Sequence, residues 1–168
     1  MKIYIINGYG GSGKSSFENM VLSASKTKGH ITSMVEIVKH FAEYMGWDGG
    51  KTDADRRMLS DLKDALTRWK DLPMIYVYNK IKEFEKLGDT YCFIDAREKL
   101  DIGRLKDMCE HNKWECKVIL IDRGIEREYG NHADNNVMDC HYDTTITNYG
   151  DLSDLRKCAI AFVEQEDI

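Results

Sequence analysis

Proline is nearly absent: Pro73 is the only one in 168 residues, and no Gly/Ser/Pro-rich stretch, repeat or low-complexity run marks a linker. With 42% hydrophobic content and the length of one folding unit, a single domain with its own core is expected. Cysteine is sparse and odd in number. Residues 92, 109, 116, 140 and 158 contain no C-x-x-C pair, which argues against a disulfide framework or a zinc site and leaves reduced, small apolar side chains. His132 and His141 likewise lack metal-ligand spacing. No run approaches the roughly 18 apolar residues of a membrane span, and Met1-Lys2-Ile3-Tyr4-Ile5-Ile6 is too short for a secretory signal. A cytoplasmic protein with no membrane partner is expected. Positive charge is also lacking: the net charge of −5 argues against nucleic acid as a general partner, although a local basic cluster can still hold a small phosphate.

What is present alternates between two periods. Residues 2–7 form a short β-branched and aromatic run ending at Gly8, and 91–95, 116–122 and 144–147 repeat that pattern, predicting buried strands. Helices are predicted from about 14, over 34–45, 53–69 and 73–87, over 101–110, and from 151 onward. Ser33 and Glu36 have capping-box spacing, and Pro73 suits a first helical turn. The polar stretch 123–139 is expected to be a long loop or flap. Strands alternating with helices predict an α/β fold, a parallel sheet covered on both faces. Trp47, Trp69 and Trp114 are expected in core or groove packing.

The densest signal lies between the first strand and the first helix, where Gly8-Tyr9-Gly10-Gly11-Ser12-Gly13-Lys14-Ser15 satisfies G-x-x-x-x-G-K-S. Such a match is expected in roughly 1% of shuffled chains of this composition, and its strand-to-helix position makes coincidence rarer. Gly8, Gly10, Gly11, Ser12 and Gly13 allow successive backbone N–H groups to face a phosphate, and the helix N-terminus adds partial positive charge. Lys14 is placed to bridge the β- and γ-phosphates of ATP, and the Ser15 hydroxyl to hold Mg²⁺. Ser16 completes the cradle; a metal role for it would need a shifted register that displaces Lys14.

The remaining candidates are charged residues at element ends. Asp95 closes the 91–95 strand at the edge where α/β sheets place ligands, suited to Mg²⁺ or to an acceptor proton, or serving as an ordinary turn aspartate. Arg97 is placed to clamp an acceptor anion. Arg56 and Arg57 occupy a first helical turn, where acids are favoured, so a bound anion would account for them; a solvated face balanced by neighbouring aspartates would as well. Arg123 and Arg127 open the polar flap, and either can supply mobile positive charge or decorate the surface. Gly150 allows close approach to a base or makes a tight turn.

Together the phosphate loop, Arg56-Arg57-Met58-Leu59-Ser60-Asp61-Leu62-Lys63, Asp95-Ala96-Arg97-Glu98, Arg123, and Tyr142-Asp143 through Ile146-Thr147-Asn148-Tyr149-Gly150-Asp151-Leu152 resemble the nucleoside monophosphate kinases. The nearest branch is the deoxynucleoside monophosphate kinases of phages and related bacterial proteins. The resemblance implies a five-stranded parallel sheet in order 2-3-1-4-5, an acceptor-binding helical region at about 32–87, and a lid at about 123–139. It implies catalytic roles for Lys14, Asp95, Arg123 and Arg127, with Ser15 and Asp95 toward Mg²⁺. The acceptor phosphate falls to Arg97 with Arg56 and Arg57, and the donor base to the neighbourhood of Asn148 and Gly150. The expected reaction is phosphoryl transfer from Mg²⁺-ATP to a small phosphorylated acceptor, a nucleoside or deoxynucleoside monophosphate first. Arg97 is followed by Glu98-Lys99-Leu100, where the phage enzymes commonly carry an aromatic, a proline and an asparagine. A nucleoside or another small metabolite therefore stays open as acceptor, as does a nucleotide-sensing or ATPase module with none.

Overall fold

The computed structural model describes residues 1–124 and 137–168. The elements run β1 (Lys2–Asn7), α1 (Lys14–Ala24), β2 (Gly29–Ser33), α2 (Glu36–Tyr44), α3 (Asp53–Lys70), α4 (Leu72–Lys86), β3 (Tyr91–Asp95), α5 (Lys99–His111), β4 (Glu115–Asp122), a 3₁₀ turn (Val137–Asp139), β5 (Thr144–Thr147) and α6 (Leu152–Glu166). The five strands form a parallel sheet in the order β2-β3-β1-β4-β5. That is the expected architecture, and β1, with its apolar run, occupies the centre.

Period-two alternation sends the two faces of β1 into different cores. Ile3 and Ile5 pack with Val77 and Ile81 of α4 and with Ile102 and Leu105 of α5. Tyr4 and Ile6 pack with Phe17 and Val21 of α1 and with Leu155 and Phe162 of α6. Tyr4, Phe17, Phe93 and Phe162 meet edge-on or tilted, with ring centroids 5.1–6.4 Å apart, the arrangement that aromatic quadrupoles favour. Because every strand is parallel, Asn7, Asp95 and Asp122 all reach the same carboxyl edge.

Two local expectations fail for identifiable reasons. Strand β2 escapes periodicity because Gly29-His30-Ile31-Thr32-Ser33 carries one large aliphatic residue, as an edge strand can. Ser33 does not cap α2, since it pairs with Asp95 in the β2–β3 ladder; Val35 takes the N-cap position without a side-chain bond. Glu36 instead accepts hydrogen bonds from Thr32 Oγ1 at 2.8 Å and Tyr76 Oη at 2.7 Å. Helix α3 does carry a full capping box, made by Thr52 and Asp55. Of the tryptophans, Trp114 is buried and donates to Glu85, whereas Trp69 stands exposed.

Candidate functional site

The phosphate loop is shaped by two glycines that no other residue could replace without strain. Gly8 has φ +147°, and a Cβ on it would lie 2.6 Å from the Ile121 carbonyl oxygen of β4; Gly13 has φ +101°, and its Cβ would lie 2.5 Å from Asn148 Nδ2. Asn7, fully buried, holds the entry: its Oδ1 accepts from Gly8 N at 2.7 Å and its Nδ2 donates to Tyr142 Oη at 2.8 Å. Tyr142 donates in turn to the Val137 carbonyl. Lys14, only 7% exposed, folds back so that its Nζ donates to the carbonyls of Gly8 at 2.7 Å and Tyr9 at 3.0 Å. Gly10 and Gly11 cross the loop's rim, and Ser15 and Ser16 sit exposed in the first turn of α1.

Beside this loop lies an acidic pair. Asp95 ends β3, the strand paired with β1, and Glu18 lies one turn below Lys14 on α1, 1% exposed. Burial pushes the Glu18 carboxyl up to about 8, aided by the charge of Asp95 and opposed by Lys14. Burial also raises Asp95, while Lys14, Arg97 and Lys39 pull it back. Three buried oxygens of this region lack a hydrogen-bond partner: Ser12 Oγ, Glu18 Oε1 and Asp95 Oδ1. Unsatisfied buried acceptors beside an ammonium fit a nucleotide phosphate and a divalent cation completing the site. Sequence reasoning overlooks Glu18 and Lys39. Glu18 hides at a helix position that usually packs apolar side chains, and Lys39 lies on the exposed face of α2, where lysine is unremarkable.

The opposite wall comes from the ends of β4 and β5. Arg123 directly follows β4 and donates through Nη1 to the Gly11 carbonyl at 3.2 Å, so in this state it touches the phosphate loop instead of standing clear of it. Its backbone is held because Asp122 accepts from Gly124 N at 2.8 Å and from Tyr149 Oη at 2.6 Å. Asn148, 6% exposed, donates to the Ser12 carbonyl at 2.8 Å. Asn148 thus braces the loop through its amide, and base contact on this side falls to backbone and to Gly150. Gly13, Ser16, Arg123, Gly150 and Leu152 line a cleft here, open beside the first turn of α1.

Arg97 is exposed at the β3–α5 junction, close enough to lower Asp95. Arg56 and Arg57 are exposed on the first turns of α3, in the helical region expected to hold the acceptor. Arg127 and His132, with most of the expected lid, lie outside the described residues. No helix among the described residues is long and apolar enough to cross a membrane.

No protein-family model and no curated protein matches the sequence. Solved structures do match its fold. A candidate kinase from Chloroflexus aurantiacus has a TM-score of 0.57 at 10% identity, over 98% of this chain and 97% of that one. A mutant APS kinase from Mycobacterium tuberculosis gives 0.46 at 15% identity, over 97% and 96% of the two chains. A sugar kinase from a Janibacter species gives 0.47 at 12% identity, over 98% and 95%. The first of these likenesses establishes a shared α/β fold.

Proposed function

We propose that this protein is an ATP-dependent phosphotransferase, acting as one domain on a small phosphorylated acceptor, a nucleoside or deoxynucleoside monophosphate first. One observation carries the reading: Lys14, Arg97 and Lys39 converge on the buried Asp95 one strand away from the phosphate loop. A loop that only bound nucleotide would need no cations on the far side of that carboxylate. The shared fold with the Chloroflexus protein, itself described as a candidate kinase, accommodates this chemistry.

The loop's backbone N–H groups and the α1 N-terminus bind the donor phosphates, and Lys14 exchanges the Gly8 and Tyr9 carbonyls for β- and γ-phosphate oxygens. Ser15 and Asp95 are the residues that would hold Mg²⁺, which supplies charge neutralisation on those oxygens. Arg97 and Lys39 orient the acceptor's anionic group, and Arg123 meets the charge that spreads over the transferring phosphoryl group. The work is positioning and electrostatic stabilisation, with no covalent intermediate. A hydroxyl acceptor is the second reading, favoured by one feature: burial holds Asp95 above its ordinary value, which suits a carboxylate that takes a hydroxyl proton.

Incubation with Mg²⁺-ATP and a panel of nucleosides, monophosphates and phosphometabolites, with ADP measured, tests the proposal. Acceptor-dependent ADP formation is expected with a monophosphate, and Lys14→Ala is expected to abolish it in a folded protein. ADP release independent of every acceptor points to an ATPase, and full activity in Lys14→Ala overturns the reading.

A further inference from the structure

Helix α3 buries a charge where helices ordinarily bury aliphatic side chains. Of its eighteen residues only Lys63 is buried, while Met58 and Trp69 on the same helix are exposed. The Lys63 ammonium meets Glu98 Oε1 and Asp101 Oδ2, each at 2.5 Å, and Asp101 is itself 5% exposed. Arg104 extends the cluster, lying 3.8 Å from Asp101 Oδ1 and pairing with Asp71 at the α3–α4 junction. Burial pulls the Lys63 ammonium down, and the hydrogen bonds to Asp101 and Glu98 outweigh it. Glu98 and Asp101 belong to the start of α5, where acids suit the helix dipole, and Glu98 immediately follows Arg97. Otherwise α3 packs chiefly on α2 and α4. Its firm connection to the sheet's ligand edge is therefore ionic, and a buried ion pair fixes geometry more surely than it adds stability.

We propose that Lys63 is a positioning residue, a buried latch that ties α3 to the first turn of α5 and so sets the separation between Arg56 and Arg97 on the acceptor side. The inference rests on the acceptor-binding reading of Arg97. Arg56 precedes Lys63 by seven residues, which returns it to the same helix face, about 10 Å along the axis. Arg57 is rotated away from that face by roughly 100°. With Lys63 and Asp71 both held against α5, α3 is a rod anchored at its middle and end that carries Arg56 on its free turns. The latch selects Arg56 over Arg57 as the partner of Arg97 around one small anion.

The test uses the full chain saturated with Mg²⁺ and a non-hydrolysable ATP analogue, so that the phosphate loop is filled, and titrates inorganic phosphate calorimetrically. Lys63→Met is expected to weaken phosphate binding about tenfold while analogue affinity stays within about twofold, since the lost term is one charged contact. Lys63→Arg should restore part of that affinity. On the Arg97→Ala background Lys63→Met should add little, because both changes remove one interaction. Arg56→Ala should cost more phosphate affinity than Arg57→Ala. If Lys63→Met does not fold, Glu98→Gln takes its place with the same expectations.

Equal losses for phosphate and analogue overturn the proposal, as does an undiminished Lys63→Met effect without Arg97, a reversed Arg56/Arg57 ranking, or a wild-type complex that takes no phosphate. A protein that binds phosphate in this Lys63-dependent way yet turns over no acceptor leaves the latch standing and overturns the kinase reading instead.

Discussion

Glu18 is the residue whose environment departs furthest from its solvated state. Its carboxyl, raised by burial and by Asp95 to about 8, is protonated in the folded protein across a range where the unfolded chain has lost the proton. The stability it contributes is complete below the unfolded value near 4.5 and is lost as pH rises through about 8. Between roughly pH 5.5 and 8 the wild-type protein should therefore lose up to about 3 kcal/mol that Glu18→Gln retains. Urea titrations of both proteins at the two pH values measure this; parallel declines would show that Glu18 does not carry the proton. Arg97 raises a separate expectation. A phosphate contact made equally in ground and transition states contributes uniform binding, so Arg97→Ala should raise the acceptor KM about tenfold or more and leave kcat nearly unchanged. A rise confined to the KM for ATP would move Arg97 to the donor side.

At the scale of elements, the phosphate loop is held by strands that do not belong to it. Asn7 at the end of β1 fixes its entry, and Asn148 after β5 braces its exit through the Ser12 carbonyl. The Asn148 amide fits only because Gly13 has no Cβ; one placed there would come within 2.5 Å of Nδ2. Asn148→Ala removes one buried hydrogen bond, worth about 1 kcal/mol, and leaves a loop carbonyl unmet. ATP affinity is expected to fall roughly fivefold to thirtyfold through loss of loop order, with no change in preference among donor bases. Competition of ATP against GTP in the variant checks this. A changed base preference at constant ATP affinity would make Asn148 a base reader instead.

Across the whole molecule, the site is closed from three directions: α1 with its loop, the α2–α4 region with α5, and the β4–β5 edge that carries Arg123. Arg123 bridges the last of these to the first, since its side chain already reaches Gly11 while Asp122 and Tyr149 hold its backbone. An arginine so placed can transfer from a loop carbonyl to developing phosphoryl charge with little movement. Arg123→Ala should lower kcat about 10³- to 10⁵-fold, roughly 4–7 kcal/mol of transition-state stabilisation, with ATP binding changed far less. Turnover and equilibrium ATP binding measured together test it, and a kcat within about threefold of wild type would remove Arg123 from the mechanism.

The sequence by itself determined the sheet's central strands, the phosphate loop and the helices flanking Pro73, because each is written in neighbouring residues: alternation of apolar side chains, glycine spacing, a cap or a stop. It also pointed to Asp95 and Arg123, since a charge at a strand's end lies on the ligand edge of any parallel sheet. Strand β2 and the burial of Glu18, Lys39's approach to Asp95, Asn148's grip on Ser12 and the enclosure of Lys63 were decided only by the tertiary structure. Each depends on contacts between segments far apart in the chain. A buried carboxylate or lysine bears no local mark that separates it from a solvated one; desolvation is a property of what packs over it.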